Sequence, residues 1–216
     1  MNAAVDLNRS VPPNPGCTAQ LVEVRPELVE TIGHVLGNLF QRIYHLIEQV
    51  GRGETAGAAQ LATSTRQLEE FLQLVIDYFS PLSLALEFVS GAEVAQSLAG
   101  HLSSRVEAGV RADVPSESRL LVDPARLTRA FALLAGQLTQ RTDDDSAQLR
   151  CTVRPAGGTL TFTLAVPAGL LAAASSAAEM QWAVAEKLVV MHGGTLHRMT
   201  APSGEMSWEI TLPLQS

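Results

Sequence analysis

One helix-forming stretch holds most of the side chains that could do chemistry. Residues 30–46 read ETIGHVLGNLFQRIYHL, which places His34 one residue after Gly33 and three before Gly37. An imidazole is neutral for an appreciable fraction of the time at neutral pH and can act as a nucleophile. Phosphoryl transfer from another protein suits such a histidine, because positioning and charge stabilisation supply most of that catalysis.

The two glycines need a reason, because each costs about 1 kcal/mol relative to alanine inside a helix. On a helical projection the polar residues of this stretch fall on one face, away from the apolar stripe. These polar residues are Glu30, His34, Asn38, Gln41 or Arg42, and His45. We therefore predict that His34 is exposed and that Gly33 and Gly37 leave room around its ring.

The helix alone also allows a plainer interpretation. Lone histidines are common on polar helical faces, and a helix can tolerate a glycine. His45 is a second candidate for a reactive histidine, although it lacks small neighbours. The rest of the chain has to decide between these alternatives.

Two long amphipathic helices are predicted before residue 81, at about 26–50 and 56–80. Pro26 suits the first turn of the first helix, and Ser80-Pro81 ends the second. Their apolar stripes are Ile32, Leu36, Leu39, Ile43, Leu46 and Val50, and then Leu61, Leu68, Leu72, Val75 and Phe79. A single hairpin cannot cover such stripes, so we predict that two copies pair into a four-helix bundle.

The second half of the chain mixes strands and helices. Asp123-Pro124 is a helix start, Gly193-Gly194 is a helix end, and alternating apolar residues indicate two hairpins. We predict helices at about 91–108, after Asp123 and at 177–192, and strands at 109–114, 119–123, 148–155, 159–167, 195–200 and 206–214. The fold class is therefore α+β, with helices on one face of a mixed sheet.

Composition divides the chain and excludes several classes of function. We predict a Pro/Asn-rich leader over 1–24, the helical hairpin over 25–82 and the α/β sandwich over 83–216. The net charge of −7 argues against a nucleic-acid partner, and no apolar run is long enough to cross a membrane. Two cysteines, Cys17 and Cys151, are too few for a disulfide framework. We expect a cytoplasmic protein.

The order of these pieces resembles the core of bacterial sensor histidine kinases. In that family a hairpin for dimerisation and phosphotransfer is followed by an ATP-binding sandwich. His34 to Asn38 looks like the phosphoacceptor box. Further similar segments follow in the family's order: 66–80, 121–127, 189–196 and 210–214.

The resemblance fails at the nucleotide-binding segments. Gln137 stands where the kinases have a metal-holding asparagine, and 165–169 lacks the aspartate of the first glycine box. Glu179 to Gln181 replaces the second, where side chains block approach to phosphates and a carboxylate repels them. The segment 167–178 is short for a nucleotide lid. The resemblance thus implies a degenerate ATPase-like domain, and we expect no bound cofactor.

The phosphoacceptor helix departs from the kinases at one position. Val35 replaces the acidic residue that assists autophosphorylation, while Asn38 is retained. This pattern resembles the kinase-derived dimeric histidine phosphotransferases of phosphorelays. The resemblance implies that His34 carries a phosphoryl group between receiver aspartates, with Asn38 and Arg42 at the docking surface, Val35 beside them and Glu30 orienting the ring.

The same resemblance implies a set of partners. They are a second copy of the chain, receiver domains that bring their own Mg²⁺, and an upstream hybrid histidine kinase. Two alternatives stay open at this stage. One is a non-catalytic, pseudokinase-like module that binds a response regulator. The other is an active histidine kinase or a receiver phosphatase, which the retained Asn38 would allow. For His192, beside the glycine pair, we predict a structural role.

Overall fold

The chain begins with a helical hairpin. The structure, a computed structural model, describes residues 25–103, 108–137, 149–166, 176–200 and 206–215. Helix α1 is Pro26–Gly51 and helix α2 is Thr55–Phe79, and the two pack against each other. Pro26 occupies the first turn of α1, and Ser80 leaves the helical conformation before Pro81, so both predicted helices are confirmed. The predicted leader lies outside the described residues.

The buried side of α2 is not the stripe predicted from sequence. Its buried positions include Gly57, Ser64, Phe71 and Tyr78, spaced seven apart, with Leu74 beside them. The residues of the predicted stripe are only partly buried or are exposed, as Leu72 and Phe79 are. The apolar arc of α2 is wider than one contact surface, and periodicity alone does not show which part of it faces α1.

The second region is an α+β domain, as predicted. Its elements are β1 Glu87–Ser90, α3 Gly91–Ser103, β2 Ala108–Ala112, β3 Arg119–Val122, α4 Pro124–Ala135, β4 Leu149–Ala156, β5 Thr159–Val166, α5 Ser176–Met191, β6 Thr195–Thr200 and β7 Met206–Gln215. The strands follow the order β1-β3-β7-β5-β4-β2, with β6 also paired to β7. Strands β2 and β4 run parallel and the other pairs antiparallel, which confirms a mixed sheet. Strand β1 was not predicted.

The core lies between one face of this sheet and the helices. Alternate residues of β5 and β7 are fully buried, Phe162 and Trp208 among them, and the residues between them are partly exposed. Phe131 of α4 packs on Phe162, and Trp182 of α5 meets Trp208 edge to face at 5.8 Å between ring centroids. Both tryptophans are therefore part of the core.

A buried polar junction joins the start of α4 to the end of α5. One carboxylate oxygen of Asp123 accepts a hydrogen bond from the N–H of Arg126, and the other accepts from the N–H of Ala85. The N–H of Asp123 donates to Nε2 of His192 at 3.0 Å, while Nδ1 of His192 lies 2.6 Å from the carbonyl of Leu188. His192 therefore has the predicted structural role, because both of its ring nitrogens are engaged.

The glycine pair that ends α5 is required by geometry. Gly193 has a φ of 74°, in the left-handed region that favours glycine. At Gly194 an added Cβ would lie 2.1 Å from the carbonyl oxygen of Thr211 on β7. Only glycine lets β6 start this close to β7, so the predicted helix end is also a point of close sheet packing.

The Asp123 junction predicts how stability depends on pH. Burial by itself would raise the pKa of Asp123, but the N–H groups of Arg126 and Ala85, aided by His192, outweigh it and hold the pKa below the ordinary 3.8. The unfolded chain then takes up the proton at a higher pH than the folded one. The stabilisation is therefore present above pH 3.8 and is lost as pH falls through the folded-state pKa.

Replacing Asp123 with Asn should lower the free energy of unfolding at neutral pH by about 1–3 kcal/mol, because the amide nitrogen cannot accept the bond from Ala85. It should also flatten the fall in stability between about pH 5 and about pH 3, measured by urea unfolding. Asp113→Asn, at an exposed carboxylate, is the matched control and should change neither. An Asp123→Asn profile parallel to that of wild type would contradict this account.

Candidate functional site

His34 lies on the exposed face of α1 with its ring free. His34, its neighbour Gly33 and the nearby Gly37 are all exposed, and no hydrogen bond to the ring forms within the described part of the chain. A Cβ added at either glycine would meet no atom within 4 Å. Packing within one copy therefore does not require these glycines. The predicted exposure of His34 is confirmed, and the helix around it presents little bulk.

The other residues predicted for the site divide into two groups. Glu30, Asn38 and Arg42 are exposed one or two helical turns from His34, so α1 brings them to the same side. Val35 is half-buried and packs against the hydrophobic core. It therefore lies beneath the exposed face, and its predicted place at the docking surface stays a prediction.

The alternative histidines have engaged rings or different surroundings. Nε2 of His45 is 3.0 Å from Nε2 of Gln49 one turn later, although His45 itself is exposed. His192 is buried in the Asp123 junction. Of the three, His34 alone combines an exposed position with a ring that makes no hydrogen bond to the described residues. His197, on β6 of the α+β domain, is exposed as well, so His34 is distinguished from it by its place on the hairpin.

Two of the segments that correspond to the nucleotide-binding segments of the kinases are joined by Arg198. The sequence analysis missed this residue. Arg198 of β6 donates to the side chain of Glu179 at 3.2 Å and to that of Gln137 at 3.5 Å. Its guanidinium also lies 4.3 Å from the ring centroid of Trp182. Gln137 and Glu179 therefore come together in space, and Arg198 bridges them.

A signal for this bridge was present in the sequence. Leu196 of β6 faces the core, and Arg198 follows two residues later on the same face of the strand. Arg198 is nevertheless exposed, and so is its partner Glu179. Alternation along β6 could thus have placed Arg198 on the same side of the sheet as Leu196, but it could not have named Glu179, Gln137 or Trp182 as its neighbours.

The described residues form neither a metal site nor a membrane span. Within the described ranges, no group of three or more His, Cys, Asp or Glu side chains could hold a metal ion. No helix in the described part of the chain is both long enough and apolar enough to span a membrane. The Asp143 to Asp145 run and the segment 167–175 lie outside the described residues.

Comparison with solved structures identifies the fold. No family model and no curated protein matches the chain. The Acinetobacter baumannii histidine kinase AdeS is similar over 85% of this chain and 98% of its own, with a TM-score of 0.60 and 12% identity. The histidine kinase ThkA, solved in complex with the response regulator TrrA, gives a TM-score of 0.66 at 12% identity. The chain has a histidine kinase fold.

The likeness to kinases extends over both halves of the chain. ThkA is matched over 88% of this chain, and full-length ShkA, solved with AMPPNP, over 89% with a TM-score of 0.53 and 15% identity. Neither the hairpin nor the α+β domain alone could supply such coverage. The chain spans 62% of the ThkA chain and 47% of the ShkA chain. At these identities the likeness shows the fold alone.

Chemical modification should separate the histidines by their surroundings. Diethyl pyrocarbonate reacts with unprotonated ring nitrogens, so we expect His34 to react at least about tenfold faster than His192, whose reaction requires local opening of the end of α5. Peptide mass spectrometry over a time course measures both rates in one sample. His34→Gln confirms the assignment of the fast peptide. Equal rates at the two positions would show that His34 is covered or that the Asp123 junction is open.

Proposed function

We propose that the chain is a histidine phosphotransferase that relays a phosphoryl group between receiver-domain aspartates through His34. The observation that carries the proposal is an exposed imidazole, with no hydrogen bond to the described residues, on the hairpin of a histidine kinase fold. It is supported by the bridge of Arg198 to Glu179 and Gln137, which occupies the segments that would be needed to bind ATP. We therefore also propose that the chain binds no nucleotide.

The transfer requires little from this chain. The lone pair of an unprotonated ring nitrogen of His34 attacks the phosphorus of the receiver's acyl phosphate. The N–P bond forms as the P–O bond to the aspartate breaks, and the aspartate leaves as a carboxylate. The reverse reaction passes the group to a second receiver. The divalent metal belongs to the receiver, and Glu30, one turn before His34, would orient the ring in the complex.

The docking surface for the receiver is the exposed face of α1 around His34. The structure of ThkA with the response regulator TrrA is a case in which a protein of this fold binds a response regulator. Arg42 adds a positive charge two turns from His34 on a chain of negative net charge, where it would attract the acidic pocket of a receiver. Small residues at Gly33 and Gly37 would allow close approach of that pocket.

We also propose that the hairpin pairs with a second copy. Large apolar side chains are exposed on one flank of the hairpin, at a helical phase different from that of His34: Val29, Phe40, Tyr44 and Ile47 on α1, and Leu72, Ile76 and Phe79 on α2. A groove lined by Val50, Leu61 and Ala62 among others lies on the same flank. Exposed apolar surface of this extent is typical of an interface. A four-helix bundle would cover it and leave each His34 outside.

A second candidate function is favoured by Asn38. Its amide is exposed one turn after His34, where it could orient a water molecule toward a receiver's acyl phosphate. The chain would then act as a receiver phosphatase, with inorganic phosphate as the product and no phosphohistidine on the path.

Radiolabelled transfer tests the proposal. A phosphorylated receiver should pass label to the wild-type chain, and His34→Gln should reduce the label on the chain to background because the nucleophile is gone. His45→Gln, the matched control on the same helical face, should retain transfer. Label that appears on the chain from ATP and Mg²⁺ would show a kinase. Release of inorganic phosphate by His34→Gln at the wild-type rate would favour the phosphatase.

Sedimentation equilibrium tests the pairing of two copies. Tyr44→Glu with Ile47→Glu places two charges on the apolar flank and should raise the dimer dissociation constant at least about a hundredfold, because each charge loses its hydration in the bundle. Gln41→Glu, an equally exposed position away from that flank, is the matched control and should leave the dimer intact. A wild-type chain that sediments as a monomer at micromolar concentration would refute the bundle.

A further inference from the structure

A buried lysine joins the α+β domain to the hairpin. Lys187 of α5 is 7% exposed, and its Nζ donates to the carbonyl oxygens of Asp77 at 3.1 Å, Tyr78 at 2.7 Å and Ser80 at 2.7 Å. An ammonium group has three protons, so these three bonds use all of them. The acceptors are the carbonyls at the end of α2. One side chain thus satisfies the C-terminal end of a helix that lies more than 100 residues earlier in the chain.

Helix α2 depends on this lysine for its C-terminal cap. The last carbonyls of a helix have no partner within it, and a cation there also interacts favourably with the helix dipole. The last turn of α2 contains no basic residue of its own. Lys187 supplies both the hydrogen-bond donors and the charge from the other half of the chain.

The start of the hairpin is held by the neighbouring residue of α5. Arg25, immediately before α1, pairs with Glu186. Two adjacent residues of α5, Glu186 and Lys187, therefore hold the start of α1 and the end of α2. Arg129 of α4 adds an ion pair to Asp77 at 3.4 Å. The connection between the two halves is also tied down, since Lys187 bonds to Ser80 at one end and Asp123 to Ala85 at the other.

Apolar packing joins the same surfaces. Leu28 of α1 and Phe71, Leu74 and Tyr78 of α2 belong to one continuous buried cluster together with the core residues of α4 and α5. Moving the domain away from the hairpin would expose these side chains and leave the end of α2 without its cap at the same time. Such a coupled cost opposes motion between the two halves.

We propose that the α+β domain is a fixed part of the hairpin, with Lys187 as the latch, and does not swing toward His34. The fixed orientation does not depend on what His34 does. Its consequence rests on the proposed function: every phosphoryl group that reaches His34 comes from a separate protein, which docks on a rigid two-part surface.

Spin-label distance measurements on the full chain test the latch. With Cys17 and Cys151 replaced by Ala, labels at Gln41→Cys on α1 and Arg154→Cys on β4 report the distance between the two halves, because both positions are exposed. An excess of unlabelled chain suppresses distances between copies. We expect one narrow distribution, and we expect Lys187→Met to broaden it at least about twofold, since Met keeps the apolar stem but has no donors.

The control keeps the test specific. Arg129→Met removes the exposed ion pair to the same end of α2 and should leave the distribution narrow. Circular dichroism and tryptophan emission show whether Lys187→Met is folded, and Lys187→Gln, which retains two donors, replaces it if it is not, with broadening again expected. A broad distribution in the unmutated background would overturn the fixed domain. A narrow one in the folded lysine variant would overturn Lys187 as the latch.

This experiment is independent of the phosphotransfer assay. It uses neither phosphate nor a receiver, so absence of transfer to His34 would leave the distance result intact. A mobile domain would likewise leave transfer by His34 possible. The two proposals can therefore fail separately.

Discussion

The buried ammonium group of Lys187 is the interaction on which the arrangement of the two halves depends. A charge with so little exposure needs full hydrogen bonding, and the carbonyls that end α2 need donors. Neither requirement is met within its own half of the chain, so each half supplies what the other lacks. The contacts between the two halves continue into one hydrophobic core. His34 lies outside this core, on the exposed face of α1.

The features that sequence could predict are those with local causes. Pro26, Ser80-Pro81, Asp123 and Gly193-Gly194 act within a few residues of where they stand, and they located helix ends correctly. The exposure of His34 followed from the phase of α1. The Lys187 latch could not be predicted, because its three acceptors lie 107 to 110 residues away in the chain. For the Arg198 bridge, strand alternation gave the side of the sheet but not the partner Gln137, 61 residues away. The buried side of α2 was predicted wrongly because the apolar arc of this helix is wider than the surface that it buries.

The proposed chemistry fits a chain with few catalytic groups. A histidine that exchanges phosphoryl groups with an acyl phosphate needs an accessible nitrogen and room for its partner, and the receiver brings the metal and the electrophile. Around His34 the chain provides exposure, two glycines and no competing hydrogen bond among the described residues. Farther away, Arg198 donates to a side-chain oxygen of Glu179 and to one of Gln137, which ties both residues to the same guanidinium group.

In the proposed relay the phosphoryl group resides on His34 between two receivers. Mass spectrometry under conditions that preserve phosphohistidine tests it directly, in a pulse with one phosphorylated receiver and a chase with a second, unphosphorylated one. The account predicts phosphate on the peptide containing His34 after the pulse, and its transfer to the second receiver during the chase. Phosphate on another residue, such as His45, or its loss to water with no intermediate on the chain, would contradict it.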